Sequence, residues 1–144
     1  MTEICIFPPG TYWIGDPSYA LSDDDYDKEW GEKLGFQEGE FEIHGKKIAV
    51  QSTFYGDGDY ESSIGTYFPV DAGVLSIMDK DLVDSSNKNV DLGHFHTFEN
   101  EVHFYYHEED GTFVFIDEKN QDLISIYTGL EEADTKPSEE EERK

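Results

Sequence analysis

Two short stretches of the sequence repeat a Gly-Asp pair with a tyrosine three positions after the aspartate. They are Gly15-Asp16, followed by Tyr19, and Gly56-Asp57, followed by Tyr60. A third aspartate, Asp71, follows in "PVDAG". Three carboxylates at strand ends could bind Mg²⁺ or Ca²⁺, which take oxygen ligands, or one could transfer a proton if burial raised its pKa. The spacing does not show whether these residues meet, because each belongs to a separate element.

The same residue types also build ordinary turns. Glycine adopts positive φ without strain, and aspartate bonds to backbone two residues further on. The sequence therefore favours two strand-ending turns and predicts neither a metal nor another cofactor. Two alternatives stay open. One is a small-ligand-binding protein with a pocket lined by Trp13, Tyr19 and Tyr60. The other is a hydrolase or lyase with a polar pocket made of Asp16, Asp57, Asp71, Tyr19 and Tyr60.

The histidines provide a second possible metal motif. In "GHFHTF", His94 and His96 would lie on one side of a strand, and His103 and His107 would share a side of the next. The only cysteine, Cys5, lies far away in an apolar run, so no metal site is predicted. Surrounded by acids, the histidines are instead expected to have pKa values above the ordinary value of about 6.5.

Four segments together resemble a family of small phage and bacterial proteins without an assigned activity. Its members read roughly G-x-Y-x-[IV]-G-D-P-x-Y and then Y-G-D-G-x-Y…V-D-A-G. The matching segments here are "GTYWIGDPSYAL", "FYGDGDY", "GTYFPVDAGVLSI" and, more loosely, "DGTFVFI". The resemblance covers about residues 10–78 and 103–117. It implies a single small domain from a phage or bacterium, and it transfers no catalytic residue.

Acidity is the strongest signal in the composition. The chain has 34 acidic and 10 basic residues, a net charge of −24. Residues 131–144 hold seven acids and three bases, so residues 1–130 alone account for −20. Such a field repels nucleic acid and anionic membranes, and it attracts basic protein surfaces. The alternative is that the charge serves only solubility or life at high salt.

Hydrophobic periodicity predicts a mainly β, α+β fold. An antiparallel meander is expected to form a rolled sheet or a small sandwich, with one helix at about residues 22–34 that begins at Ser22. Hairpin turns are expected at His44-Gly45 and Asp110-Gly111. The apolar segment 65–78 predicts a buried strand broken by Pro69 and Gly73.

One acidic β-rich domain is expected over residues 1–130, followed by a disordered acidic tail over residues 131–144. The N-terminal segment lacks the pattern of a secretory signal, and no segment reaches the roughly 18 apolar residues of a membrane span. A single cysteine suits a reducing compartment. The predicted location is therefore cytoplasmic, in the bacterial host cell if the protein is phage-encoded.

These features together predict a non-enzymatic inhibitor of a basic, nucleic-acid-binding protein, as in phage anti-defence or immunity-type proteins. Carboxylates would act as a DNA mimic by taking the place of phosphates. Tyrosines enriched in binding hot spots could anchor the interface, with Tyr60, Tyr67, Tyr105 and Tyr127 as candidates. The predicted binding residues are Asp23, Asp24, Asp25, Asp57, Asp59, Glu61, Glu108, Glu109 and Asp110.

Overall fold

The computed structural model describes residues 1–119 and 121–129, so the predicted tail lies outside the described residues. These residues form a mostly β, antiparallel fold with one helix, as the sequence predicts. The strands are β1 Thr2–Phe7, β2 Gly10–Gly15, β3 Gly39–Ile43, β4 Lys46–Ser52, β5 Gly58–Glu61, β6 Tyr67–Val70, β7 Val74–Asp79, β8 His94–Phe98, β9 Val102–His107, β10 Thr112–Asp117 and β11 Leu123–Tyr127. The helix, α1, is Asp25–Glu32, and short 3₁₀ turns occupy Pro17–Tyr19, Lys80–Leu82 and Val90–Leu92.

The strands divide between two main sheets. One has the order β3-β4-β7-β2-β8, and the other, the meander sheet, has the order β1-β9-β10-β11. The chain changes sheet at the Pro8-Pro9 corner between β1 and β2. It changes again between β8 and β9, so β8 is not part of the meander. The predicted hairpin turn at His44-Gly45 is confirmed, because both residues have positive φ, as a two-residue hairpin turn requires.

The sequence predicts that segment 65–78 is a strand broken at Pro69 and Gly73, but only the break near Gly73 is present. Pro69 lies within β6, opposite Asp59, instead of breaking the strand. Proline is tolerated there because a two-stranded sheet leaves backbone N–H groups without a ladder partner. The break falls at residues 71–73, where Gly73 has φ of +76°.

The five-stranded sheet is buried on both faces. On β2, Tyr12 and Ile14 face the meander sheet, whereas Trp13 between them faces α1. The residues between the two sheets include many rings: Phe7, Tyr12, Tyr60, Phe68, Phe98, Phe104, Tyr106, Phe113 and Phe115. Each ring buries a large apolar area, so a chain with only 36% hydrophobic residues can still build a three-layer structure.

Helix α1 covers the second face of the five-stranded sheet with Trp30. Its entry is set by Ser22, whose Oγ accepts a hydrogen bond from the Asp25 N–H at 3.1 Å. The N–H of Lys33 bonds to the carbonyl of Lys28, five residues back, which makes this a π-helix. Gly35, with φ of +66°, ends the segment. No helix in residues 1–119 and 121–129 has the length and apolar character needed to cross a membrane.

The buried carboxylate of Asp16 joins two chain reversals. Its Oδ1 accepts hydrogen bonds from the N–H and hydroxyl of Ser18 at 2.8 and 2.7 Å. Its Oδ2 accepts the N–H groups of Asp71 and Ala72 at 2.7 and 2.8 Å. Asp16 is fully buried, so these four donors replace its water shell. The turn after β2 is thereby attached to the break between β6 and β7.

A third chain reversal, loop 53–56, is attached to Gly73, the residue that follows Ala72. The N–H of Thr53 donates to the carbonyl of Gly73 at 3.0 Å. The Thr53 hydroxyl donates to the carbonyl of Gly56 at 2.6 Å and so closes the loop that leads into Asp57. The three segments "GDPSY", "FYGDGDY" and "VDAG" therefore meet through hydrogen bonds to backbone, which the sequence spacing alone does not show.

Replacing Asp16 with asparagine should destabilise the fold. The new amide NH₂ is a donor and would face backbone N–H donors, so at least one buried donor would lose its acceptor. We expect a loss of roughly 3 kcal/mol in the free energy of unfolding, measured by urea denaturation. The matched control is Asp57→Asn, an exposed aspartate in the same region, with an expected change within about 0.5 kcal/mol. Equal effects of the two variants would contradict this account of Asp16.

Candidate functional site

Tyr19 lies at the centre of a group of aspartates. It is half-buried in the 3₁₀ turn Pro17–Tyr19, directly after Asp16. Burial, followed by the negative charges of Asp16, Asp71, Asp57 and Asp59, raises the pKa of Tyr19 to about 12. A hydroxyl that keeps its proton so firmly is a poor general base at neutral pH. The aspartates of both Gly-Asp turns and of "VDAG" are therefore all close enough to act on one ring, a question that the sequence spacing left open.

Three of these four aspartates are exposed. Asp57 and Asp59 lie on the loop and strand that begin at Gly56, and Asp71 lies at the break between β6 and β7. The Asp57 Oδ1 lies beside Gly73, where an added Cβ would be 3.6 Å away. Since the buried Asp16 carboxylate holds the Asp71 backbone, the exposed carboxylates of the second Gly-Asp turn and of "VDAG" lie near the first Gly-Asp turn.

A second group of carboxylates surrounds Tyr106 at the end of β9. Burial first, and then the charges of Glu38, Glu108 and Asp110, raise the pKa of Tyr106. Glu38 reaches this region because its Oε2 accepts the N–H of Ser52 at 2.9 Å. Ser52 is the residue before Thr53, so this group adjoins the same loop as the first.

Loop 53–56 connects the two groups. The N–H of Phe54 donates to the Thr128 hydroxyl at 3.0 Å, and Thr128 in turn donates its N–H to the carbonyl of Gly111. Gly111 has φ of +74°, and a Cβ there would overlap the Phe54 side chain. The β9–β10 turn is thus packed against this loop. We call the exposed surface formed by Glu38, Asp57, Asp59, Asp71, Glu108 and Asp110 the acidic end.

The acidic end has little compensating positive charge. Among the ion pairs within residues 1–119 and 121–129, none includes Asp57, Asp59, Asp71 or Asp110. Glu108 pairs with the N-terminal ammonium at 3.5 Å. The paired lysines lie elsewhere, on or beside α1, on β4 and at Lys80. The carboxylates therefore point a concentrated negative field at solvent.

The remaining predicted binding residues lie in two places, some next to the acidic end and the others at the entry to α1. Glu61 and Glu109 are exposed next to the acidic end, on β5 and in the β9–β10 turn. Asp23 and Asp24 are exposed at the entry to α1, and Asp25 is half-buried with its Oδ1 2.7 Å from His44 Nε2. Sequence reasoning missed Glu38, which no motif marks and which only the packing beside Ser52 reveals.

Two residues of the hydrolase or lyase hypothesis, Asp16 and Tyr60, are buried and hydrogen-bonded within the fold. Both oxygens of Asp16 are occupied by the four hydrogen bonds described above. Tyr60 is fully buried, and its hydroxyl donates to the carbonyl of Gly56 at 2.7 Å. The hypothesis that Tyr60 is an exposed interface anchor is therefore wrong, because its ring fills the core between the sheets.

The ligand-binding alternative places Trp13, Tyr19 and Tyr60 in one pocket, but the structure does not bring Trp13 and Tyr60 together. Trp13 and Tyr60 are fully buried and lie in core clusters on opposite faces of the five-stranded sheet. The indole N–H of Trp13 bonds to the carbonyl of Val90 at 3.1 Å. Trp13 points away from the core that holds Tyr60 because side chains alternate along β2, and its neighbours Tyr12 and Ile14 face that core.

The histidines also depart from expectation in one case. Burial, and secondarily the charge of His96, lowers the pKa of His94, so the expected rise is wrong there. His96 lies 2.7 Å from Asp122, and His103 lies 2.7 Å from Glu3. Within the part of the chain that the structure describes, no three His, Cys, Asp or Glu side chains are grouped so that they could hold a metal ion.

The segments that motivated the family resemblance meet at the acidic end and around Asp16. The turn after β2, the loop before β5 and the break before β7 contain "GDP", "GDGD" and "VDAG", respectively. No family model, no curated protein and no solved structure matches the chain.

The pKa of Tyr19 provides a direct test of the acidic end. Asp57→Asn/Asp59→Asn should shift the pKa from about 12 part of the way towards the ordinary 10.0, because burial remains as the largest cause. The measurement is an alkaline titration followed by phenolate absorbance, with Tyr19→Phe to assign the signal. Since the folded state holds this proton more tightly, the resulting stability is present below pH 10.0 and is lost as pH rises towards about 12.

The control for this titration is Glu32→Gln/Glu42→Gln, which removes the same charge from exposed positions on α1 and β3. It should leave the Tyr19 titration unchanged. An equal shift in both double variants would mean that the whole-protein field, and not a local group of aspartates, acts on Tyr19.

Proposed function

We propose that this protein is a small acidic, non-enzymatic binding protein that inhibits a basic, nucleic-acid-binding target protein. The observation that supports this most is the acidic end, where exposed carboxylates from four chain segments gather without lysine or arginine partners in the described residues. A protein that needed charge only for solubility would gain nothing from concentrating it, because like charges close together cost stability.

The mechanism is substitution of carboxylates for phosphates. A groove that binds DNA or RNA is lined with Lys and Arg, which neutralise phosphates and release counterions. The acidic end offers the same groove a set of anions, and its loops are already held in place by Asp16 and Gly73. A held loop loses little conformational entropy on binding. The bound target would then be closed to nucleic acid.

The proposal also states where the protein acts and against which class of protein. A phage anti-defence or immunity-type inhibitor would act in the bacterial cytoplasm, where nucleic-acid-binding enzymes are its targets. The resemblance of the Gly-Asp segments to small phage and bacterial proteins supports this setting. Membership of that family remains part of the proposal.

The proposal predicts salt-sensitive capture of one nucleic-acid-binding protein. Tagged protein incubated with nuclease-treated bacterial lysate should retain such a target at low salt and release it at about 0.5 M salt, where the Debye length falls below roughly 5 Å. Added duplex DNA should compete for the captured target. Retention that is indifferent to both salt and DNA would contradict phosphate mimicry.

Matched variants separate the acidic end from overall charge. Asp57→Asn/Asp59→Asn/Asp71→Asn should weaken capture, because it removes three exposed carboxylates of that surface. The control is Glu32→Gln/Glu42→Gln/Asp91→Asn, which removes three exposed carboxylates elsewhere. If both triple variants lose the target equally, net charge and not the acidic end is responsible. Asp16→Asn is unsuitable here, because it damages the fold.

A further inference from the structure

The outward face of the meander sheet is the second unusual surface. On each strand alternate residues face the core, and the others face away from it. Antiparallel sheets with one solvated face normally place polar residues outward. Here the outward positions include the polar Glu3, His107, Thr112 and Ser125, but also a central group of Ile6, His103, Tyr105, Val114, Ile116 and Leu123, which we call the outer face.

The strand register aligns these side chains into rows. Ile6, His103, Ile116 and Leu123 are successive partners across all four strands, and Tyr105 is paired with Val114 in the adjacent row. Ile6 and Leu123, at the two edges, are 36% and 45% exposed. A predominantly apolar groove of about 560 Å³ runs over Tyr105, Val114 and Ile116. The rings of His103 and Tyr105 are nearly parallel, with their centroids 6.1 Å apart.

Carboxylates are excluded from the centre of this face and surround its edge. Although the chain has 34 acidic residues, Glu3 is the one acid among the outward positions of these four strands. It approaches His103 at 2.7 Å, and Glu101 approaches the other nitrogen of that ring at 3.4 Å. Glu118 borders the groove. An apolar centre with aromatic residues inside a charged rim is the arrangement of protein–protein interfaces.

The rim determines which occupant fits. A second copy of this chain, or its own residues 131–144 with their net −4, would bring more carboxylates against Glu3, Glu101 and Glu118. A protein that presents lysines or arginines around an apolar or aromatic side chain would satisfy both the rim and the centre. The outer face also leads directly to the acidic end, because Glu108 and Asp110 follow β9 and precede β10.

We propose that the outer face anchors the apolar centre of the basic target's surface, while the adjoining acidic end pairs with its cations. This inference rests on the proposed function and adds to it where the target docks and what its surface must contain. Apolar burial on the outer face supplies salt-independent affinity, and the carboxylates supply attraction and orientation.

Two synthetic peptides of equal charge test the proposal. One is oligo-lysine, and the other has the same number of lysines interleaved with tryptophan. At low salt the full chain should bind the interleaved peptide about tenfold more tightly. Binding of the interleaved peptide should shift the backbone amide NMR signals of the protein's residues 103–107 and 112–116. Oligo-lysine should instead shift only residues of the acidic end, at 38, 57–59, 71 and 108–110.

Val114→Thr/Ile116→Thr is the decisive variant, since threonine keeps the β-branched shape that suits a strand but removes apolar surface. It should remove the tenfold preference for the interleaved peptide and leave oligo-lysine binding unchanged. The matched control, Leu92→Thr/Phe95→Thr, alters two exposed apolar residues off this face and should keep the preference. Urea denaturation of each variant verifies that it is folded.

The outcomes separate this inference from the proposed function. Equal binding of both peptides, with shifts confined to the acidic end, would overturn docking on the outer face and leave an acidic inhibitor. Failure of both peptides to bind at low salt would overturn the proposed function and this inference together. Concentration-dependent self-association that is abolished by Val114→Thr/Ile116→Thr would identify a second copy as the occupant and overturn the inference.

Discussion

The hydrogen bonds accepted by the buried Asp16 carboxylate determine how the loops of this protein are arranged. A carboxylate removed from water must recover its solvation from donors nearby, and here these are the Ser18 hydroxyl and three backbone N–H groups. Three of the four bonds require the backbone to turn towards one point. The break between β6 and β7 therefore has a defined position relative to the end of β2, and Gly73 attaches loop 53–56 to it.

This constraint has a consequence for charge. The exposed Asp57, Asp59 and Asp71 repel one another, and in a flexible loop they would separate. Attachment of the backbone at Asp71 to Asp16 and of loop 53–56 to Gly73 keeps them close. Burial raises the pKa of Tyr19 most, and the field of these aspartates raises it further. The buried aspartate and the exposed ones thus have different roles, although their sequence motifs look alike. Burial decides which role each one takes.

The two sheets present very different surfaces. The five-stranded sheet is covered on both faces, by the aromatic core and by α1 with its neighbouring loops. The meander sheet is covered on one face only, and its other face is apolar at the centre and acidic at the edge. In a chain of net charge −24, this uncharged area needs a physical reason. A partner that covers it supplies one, and the acidic end beside it indicates the sign of that partner's charge.

The sequence by itself determined the local structure, since that depends on neighbours along the chain. Ser22 and the aspartates after it predicted the start of α1, His44-Gly45 predicted a tight hairpin turn, and period-two patterns predicted the strands. It also determined the acidity of the body. Only the tertiary structure decided which sheet each strand joins, because the pattern of β8 is as compatible with the meander as with the strand β2 that it pairs with. It alone decided that Asp16 and Tyr60 are buried and that Trp13 and Tyr60 lie on opposite faces of a sheet. It also placed Glu38 and Asp110 near the same tyrosine, Tyr106. These facts depend on contacts between residues distant in sequence, and no local pattern encodes them.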